Sequence, residues 1–134
     1  MSSWPEFTLE NPLDHLTPEL RVLAERHVTG SGETVIGPFA PEGGGLSYID
    51  LAQQRGASYF DIGEAWYSAT DTQRLAANQH VLDIAIANHD SITLSVPFNM
   101  VRPDSFTAAE IRYLESHGYR QVGESKWILP NGGY

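Results

Sequence analysis

Cysteine is the first absence in this sequence of 134 residues, which contains none. Without thiols the chain forms no disulfide bond, has no cysteine nucleophile and offers no thiolate to a metal. The zinc deaminases, which need a pair of cysteines beside their other ligand, are excluded for the same reason. Any chemistry must therefore come from carboxylates, imidazoles, hydroxyls and amides.

Long apolar runs are also missing. No segment approaches the roughly 20 residues that a membrane-spanning helix requires, so we expect no membrane association. The first residues show neither the basic stretch nor the apolar segment of a secretory signal peptide. A chain of this length with 41% hydrophobic residues is typical of one globular domain with its own core.

Basic residues are scarce and dispersed. Eight Lys and Arg stand against 17 Asp and Glu, which gives a formal net charge of −9. Because nucleic-acid-binding proteins concentrate basic residues on one face, this composition disfavours a nucleic-acid partner. The five histidines show neither HxH nor HExxH spacing, so we predict no metal site and no bound cofactor.

Apolar patterning predicts an α/β fold. Thr17-Pro18-Glu19 is typical of a helix start, with a capping hydroxyl, a proline and an acid in the first turn. Strands predicted over 33–37, 57–62 and 91–96 alternate with helices over 46–55, 71–88 and 105–117, and short strands follow at 119–122 and 127–129. This order predicts a small, mostly parallel sheet flanked by helices in three layers, similar to the flavodoxin and TIR folds.

The domain boundaries follow from the same pattern. Residues 1–16 carry two prolines and few periodic apolar positions, so we expect an irregular lead-in that contributes little to the core and is dispensable for folding. Residues 17–130 are predicted to form the single domain, and 131–134 a flexible tail. In open α/β sheets, ligands bind at the carboxyl ends of the strands, here near 37–45, 61–67 and 97–105.

The segment after the predicted strand 57–62 combines carboxylates with an aromatic ring. Asp61 and Glu64 are suited to hold ribose hydroxyls, and Trp66 is suited to stack on a base. The structural alternative is that Asp61 caps a turn and that Trp66 packs on the core.

Two further features each have a functional and a structural interpretation. The loop Pro41-Glu42-Gly43-Gly44-Gly45 precedes a helix and offers backbone amides to an anion, or it is a plain connecting loop without the lysine of a P-loop. Asn78 falls on the apolar face of its helix, with Leu75 and Leu82. A buried amide needs a hydrogen-bond partner, which is a backbone carbonyl or a bound ligand.

The predicted start of the last helix contains the strongest candidate acid. Thr107 and Glu110 have the T-x-x-E spacing of a capping box, which is the structural explanation for Glu110. The functional alternative directs Glu110 into the cleft at the strand ends, with Arg102 and Ser105 nearby.

These residues also carry a resemblance to a known family. The likeness covers about 33–130 and uses, in order, Thr34 to Gly37, Tyr48 to Ala52, Gly56 to Ile62, Trp66, Ala77-Asn78, Leu82 to Ile86, Val101 to Ser105, Glu110 to Leu114 and Gly118-Tyr119. In them the chain resembles the C-terminal toxin modules of bacterial polymorphic toxins, the RHS-repeat and contact-dependent-inhibition proteins. The resemblance implies a toxin tip, secreted or delivered as the C-terminal part of a larger protein. It would act in the cytoplasm of a target cell and be neutralised by a cognate immunity protein. Such tips include nucleases, NAD-consuming enzymes and ADP-ribosyltransferases.

A weaker likeness, at the level of the fold, is to the TIR-type NAD hydrolases. It rests on the strand Ile92 to Pro97 with Ser105 and Glu110 after it, although Thr107 to Ala109 replace the usual Trp-Cys pair.

These observations lead us to expect an enzyme that cleaves the N-glycosidic bond of NAD or a related small-molecule nucleotide. A buried carboxylate beside the ribose would stabilise the oxocarbenium-like transition state. The predicted catalytic residues are Glu110, Asp61 and Glu64, and the predicted substrate-binding residues are Trp66, Asn78, Arg102 and Ser105. Two alternatives stay open: a metal-independent RNase toxin that uses His, Arg and Ser residues, and a non-enzymatic binding protein such as an immunity protein.

Overall fold

The computed structural model of the chain describes residues 5–39 and 45–130. Within them there are five α-helices and four strands. The helices are α1 (Pro18–Glu25), α2 (Tyr48–Arg55), α3 (Ala65–Ser68), α4 (Asp71–Ala87) and α5 (Phe106–Ser116), and the strands are β1 (Glu33–Ile36), β2 (Ser91–Leu94), β3 (Arg120–Gly123) and β4 (Lys126–Ile128). Two 3₁₀ helices cover Pro12–His15 and Phe98–Met100. The predicted α/β class is confirmed, with helices flanking one sheet.

The sheet is mixed, and the prediction of a mostly parallel sheet is wrong. Its order is β1-β2-β4-β3, in which β1 and β2 are parallel and the two other pairs are antiparallel. The reason lies in the last two strands. Only Glu124 and Ser125 separate β3 from β4, and so short a connection permits only an antiparallel hairpin.

The predicted strand over 57–62 is reduced to a single bridge. Ser58 exchanges backbone hydrogen bonds with Glu33 and Val35 at the edge of β1, both at 2.9 Å. The next amide, that of Tyr59, donates instead to the carbonyl of His27 after α1. The segment therefore leaves the sheet after one residue, and the residues that follow it are free to form the wall of a cleft.

Hydroxyl caps set the helix starts. Thr17 accepts a hydrogen bond from the Leu20 amide at 3.1 Å, which confirms the predicted start of α1. Thr70 and Gln73 form a reciprocal capping box at the start of α4. Each such cap satisfies backbone donors that the first helical turn leaves without a partner.

Helix α4 is buried along its centre by three neighbours. It packs against the first 3₁₀ helix, against α1 and against α5. Seven consecutive side chains, 76–82, are buried, which includes every face of the helix and not only one stripe. Three of them in sequence are polar, namely Asn78, Gln79 and His80, and each must find a partner inside the protein.

The lead-in is packed, contrary to our expectation that it contributes little to the core. Phe7 is 6% exposed and belongs to the main hydrophobic cluster, and its ring meets that of Tyr113 edge-on at 5.9 Å. Leu9 exchanges two backbone hydrogen bonds with the side chain of Gln79, at 3.2 and 2.7 Å. Pro12 is buried and begins the first 3₁₀ helix, so the prolines of the lead-in do not prevent its packing, and the periodicity that we used detects only longer elements.

We therefore predict that the lead-in stabilises the fold. Phe7→Ala should lower the free energy of unfolding by about 3 kcal/mol, because it removes a buried ring. The neighbouring exposed Glu6→Ala is the matched control and should change stability by less than about 0.5 kcal/mol. Urea denaturation measures both, and an unchanged midpoint after deletion of residues 1–16 would contradict the prediction.

Candidate functional site

A cleft of about 650 Å³ opens at the carboxyl end of β1. Its walls come from β1 and the residues after it, the 60–67 segment, the middle of α4 and the start of α5. The lining residues are Thr34 to Phe39, Tyr48, Phe60 to Glu64, Trp66, Tyr67, Asn78, Val81, Leu82, Ser105 to Thr107 and Glu110. Six of the seven predicted site residues are among them, and the seventh, Arg102, is not.

Glu110 lies in the interior wall of this cleft. Helix α5 begins at Phe106, and its N-cap is Ser105, whose hydroxyl accepts from the Ala108 amide at 3.1 Å. Thr107 and Glu110 are therefore inside the helix, and the capping box that we assigned to them is wrong. Glu110 is 7% exposed, and burial raises the pKa of its carboxyl from the ordinary 4.5 to about 8. A hydrogen bond with Asn78 acts in the opposite direction.

Asn78 faces Glu110 from α4. Its side chain is 4% exposed, and its hydrogen-bond partner is this carboxyl and not a backbone carbonyl. The amide oxygen of Asn78 is buried and has no hydrogen-bond partner among the described residues. A buried acceptor without a partner is costly, so this atom is the first place where a ligand's donor would stabilise the site.

Tyr48 is a cleft residue for which sequence reasoning assigned no role. It is the first residue of α2, and its hydroxyl donates to the carbonyl of Phe60, which holds α2 to the opposite wall. Burial, followed by the charges of Glu110 and Asp61, holds the pKa of Tyr48 far above its usual range. The sequence signal that could have identified Tyr48 is Ser47, the N-cap of α2. A helix that begins there places Tyr48 beside the strand ends.

Asp61 and Glu64 lie at the outer part of the cleft. Asp61 accepts the Gly63 amide on its carboxylate at 2.8 Å, which is the turn-capping role of our structural alternative. Arg26 donates to the backbone carbonyl of Asp61 at 3.3 Å and braces the turn from outside the lining. Glu64 is exposed and makes no side-chain hydrogen bond at the start of α3, so its carboxylate faces solvent at the mouth.

Trp66 forms part of an aromatic wall. Its ring meets Phe106 at 5.6 Å and Phe60 at 6.3 Å between centroids, both edge-on. The guanidinium of Arg74 lies 5.1 Å from the ring centroid, and its Nε donates to the Trp66 carbonyl at 2.7 Å. Trp66 thus packs on the core and also lines the cleft, with an arginine over one face.

Ser105 and Arg102 are neighbours with different surroundings. The Ser105 hydroxyl donates to the Arg102 carbonyl at 2.6 Å while it caps α5, so both of its hydrogen-bonding functions serve the loop. The Arg102 side chain is 68% exposed and lies 3.6 Å from Asp104. The structure therefore does not bring Arg102 to the cleft, because its loop directs it outward.

Gly37 is required where β1 enters the cleft. Its φ is +153°, and a Cβ atom there would lie 1.9 Å from the Ser95 hydroxyl, which has no partner among the described residues. Any side chain at Gly37 would force apart the residues that follow β1 and β2. The glycine-rich loop, for which anion binding and a plain connection were both open, lies outside the described residues at positions 41–44.

The cleft is acidic and apolar. Its described lining holds three carboxylates, those of Asp61, Glu64 and Glu110, and contains no Lys, Arg or His. Among the described residues there is no group of three or more acidic or histidine side chains placed to hold a metal ion. No helix in the same part of the chain is long and apolar enough to cross a bilayer.

Comparison with known proteins returned no match of any kind: no protein-family model, no curated protein and no solved structure matches this chain.

We predict a pH dependence of stability that depends on Glu110. The pKa of about 8 in the folded protein exceeds the unfolded value near 4.5, so the folded state binds the extra proton between these pH values. The contribution of Glu110 to the free energy of unfolding should be greatest below pH 4.5. It should be lost as pH rises from 4.5 through 8.

The matched variant is Glu110→Gln, which keeps the shape and cannot ionise. Its stability relative to the wild type should increase between pH 5 and 9 by on the order of 3 to 5 kcal/mol. Urea denaturation across this range measures the difference. Parallel curves for the two proteins would show that the carboxyl is solvated.

Proposed function

We propose that this chain is an enzyme that cleaves the N-glycosidic bond of NAD or a related nucleotide, and that it is the effector domain of an antibacterial polymorphic toxin. The observation that carries the catalytic part is the buried Glu110 carboxyl, beside Asn78, in an aromatic-walled cleft at a strand end. The toxin part rests on the sequence resemblance alone.

The chemistry requires a carboxylate next to the ribose. As the bond between C1′ and the base nitrogen breaks, its electron pair leaves with the base and positive charge develops on the ribose. Glu110 would stabilise that cation through space, as carboxylates do in glycoside hydrolysis. Water then adds to C1′ and gives its proton to Glu110, which returns it to solvent. The products are the free base, the hydroxylated ribose and one proton.

The raised pKa of Glu110 is compatible with this role when the substrate is charged. In the empty cleft the carboxyl is mostly protonated at neutral pH, since burial opposes its charge. A nicotinamide ring bonded to ribose carries a positive charge, and a nearby positive charge favours the ionised carboxylate. Binding of the substrate would thus expel the proton and create the catalytic anion only when it is needed.

The RNase alternative has less support in the geometry. Such an enzyme would use His or Arg side chains at the scissile phosphate, and the described lining contains neither. The acidic lining would in addition disfavour a phosphodiester.

The test is cellular NAD after expression of the chain in the bacterial cytoplasm. We expect the wild type to arrest growth and deplete NAD. Glu110→Gln should slow the depletion by on the order of 100- to 1000-fold, as the loss of one transition-state electrostatic contact typically does. Glu124→Gln, an exposed acid in the β3–β4 connection outside the cleft, is the control and should behave as the wild type.

Three results would lead elsewhere. Normal growth with abundant folded protein contradicts the toxin proposal and favours a binding protein. Growth arrest at constant NAD contradicts NAD cleavage. Undiminished NAD loss in Glu110→Gln removes Glu110 from the mechanism and transfers attention to Asp61 and Glu64.

A further inference from the structure

We infer that the cleft binds a cationic heteroaromatic ring carrying a hydrogen-bond donor, and that the phosphates of the ligand stay outside it. This inference rests on the proposed function for the identity of the natural ligand, a pyridinium nucleotide. The recognition itself follows from the cleft residues.

The first step is charge. Asp61, Glu64 and Glu110 line the cleft, and no Lys, Arg or His is found among its described lining residues. Arg26 and Arg74 brace the wall through the backbone carbonyls of Asp61 and Trp66, but neither lines the cleft. Phosphate recognition uses basic side chains or converging amide donors, so this lining favours a cation and repels an anion.

The second step is shape and surface. The walls are formed by rings from four different segments, contributed by Phe39, Tyr48, Phe60, Trp66, Tyr67 and Phe106. Aromatic faces attract cations and pack against flat rings. The cavity of about 650 Å³ is within the size range of small-molecule sites. A flat cationic ring satisfies both the charge and the surface of this cavity.

The third step is the unpartnered oxygen of Asn78. Its two neighbours on α4 are also buried but have partners: the Gln79 side chain bonds both backbone groups of Leu9, and His80 lies 2.6 Å from Glu25. Of these three side chains, only Asn78 lines the cleft, and only its amide oxygen is buried without a hydrogen-bond partner. An N–H or O–H group of a ligand would satisfy this acceptor, and a carboxamide substituent supplies one.

The acidic lining, the aromatic walls and the Asn78 acceptor together favour a ligand with a positively charged ring and an amide donor. They also predict that its binding depends on pH. The cation competes with the proton on Glu110, so affinity should rise as pH increases through 8 and then level off. The other titratable groups of the described lining are the carboxyl groups of Asp61 and Glu64 and the phenols of Tyr48 and Tyr67.

The experiment is calorimetric titration of the folded chain with matched small probes. The positive probe is 1-methylnicotinamide, a cation with a carboxamide. Its neutral isostere is 3-methylbenzamide, and its isostere without an N–H donor is 1-methyl-3-acetylpyridinium. We expect each single change to weaken binding by roughly 10- to 100-fold, and ADP-ribose, which has phosphates and no ring cation, to bind more weakly than 1-methylnicotinamide.

Two variants assign the effects to residues. Glu110→Gln should reduce the preference for the cation and abolish its pH dependence, and Asn78→Leu should abolish the preference for carboxamide over acetyl. Glu124→Gln should leave both preferences intact. Thermal melting verifies that each variant is folded. If Asn78→Leu does not fold, the acetyl probe on the wild type still tests the donor.

Equal affinity for the neutral and cationic rings would overturn the inference, as would failure of all three rings to bind or tighter binding of ADP-ribose. Failure of this inference can be distinguished from failure of the proposed function. Selective binding of 1-methylnicotinamide without NAD cleavage would retain the site and reject the enzyme. NAD cleavage without any preference for the cation would do the reverse.

Discussion

The burial of α4 on all its faces is the constraint on which the rest of the structure depends. Three consecutive polar side chains in its middle turn point in three directions, because successive helical residues are about 100° apart. Gln79 fixes the lead-in, His80 meets Glu25 of α1, and Asn78 meets Glu110 of α5. Each polar contact orients one packing partner, so the helix both fills the core and sets the position of the elements around it.

The order of elements was predictable from the sequence, but the direction of half the sheet was not. Capping signals such as Thr17 and apolar spacing act within a few residues, so they identify helices and strands locally. Whether a strand pairs depends on distant partners. The segment after Gly56 has the composition of a strand. However, the Tyr59 amide donates its hydrogen bond to the carbonyl of His27, so pairing with β1 ends at Ser58. The final hairpin is likewise a consequence of the connection at Glu124 and Ser125.

The candidate site was predictable to the extent that it follows strand ends. That rule brings Asp61, Trp66 and Ser105 to one edge, whereas Glu110 was only the functional alternative to a helix cap. It could not distinguish Thr107, which lies inside the first helical turn, from the cap itself, so Thr107 was assigned the N-cap role that Ser105 performs. Nor could it find Tyr48, because that side chain enters the cleft from α2 and is held there by a hydrogen bond to a loop carbonyl.

The position of β4 between β2 and β3 has a consequence for the order of folding. Trp127 is fully buried in the main core, although it stands near the end of the sequence and pairs with Ile92 of β2. The edge of β2 that faces away from β1 has no partner strand until residues 126–128 have been synthesised. Non-local pairing of this kind delays folding relative to local helix contacts. During synthesis the chain therefore keeps an unpaired sheet edge, and its core closes only after β4 has been made.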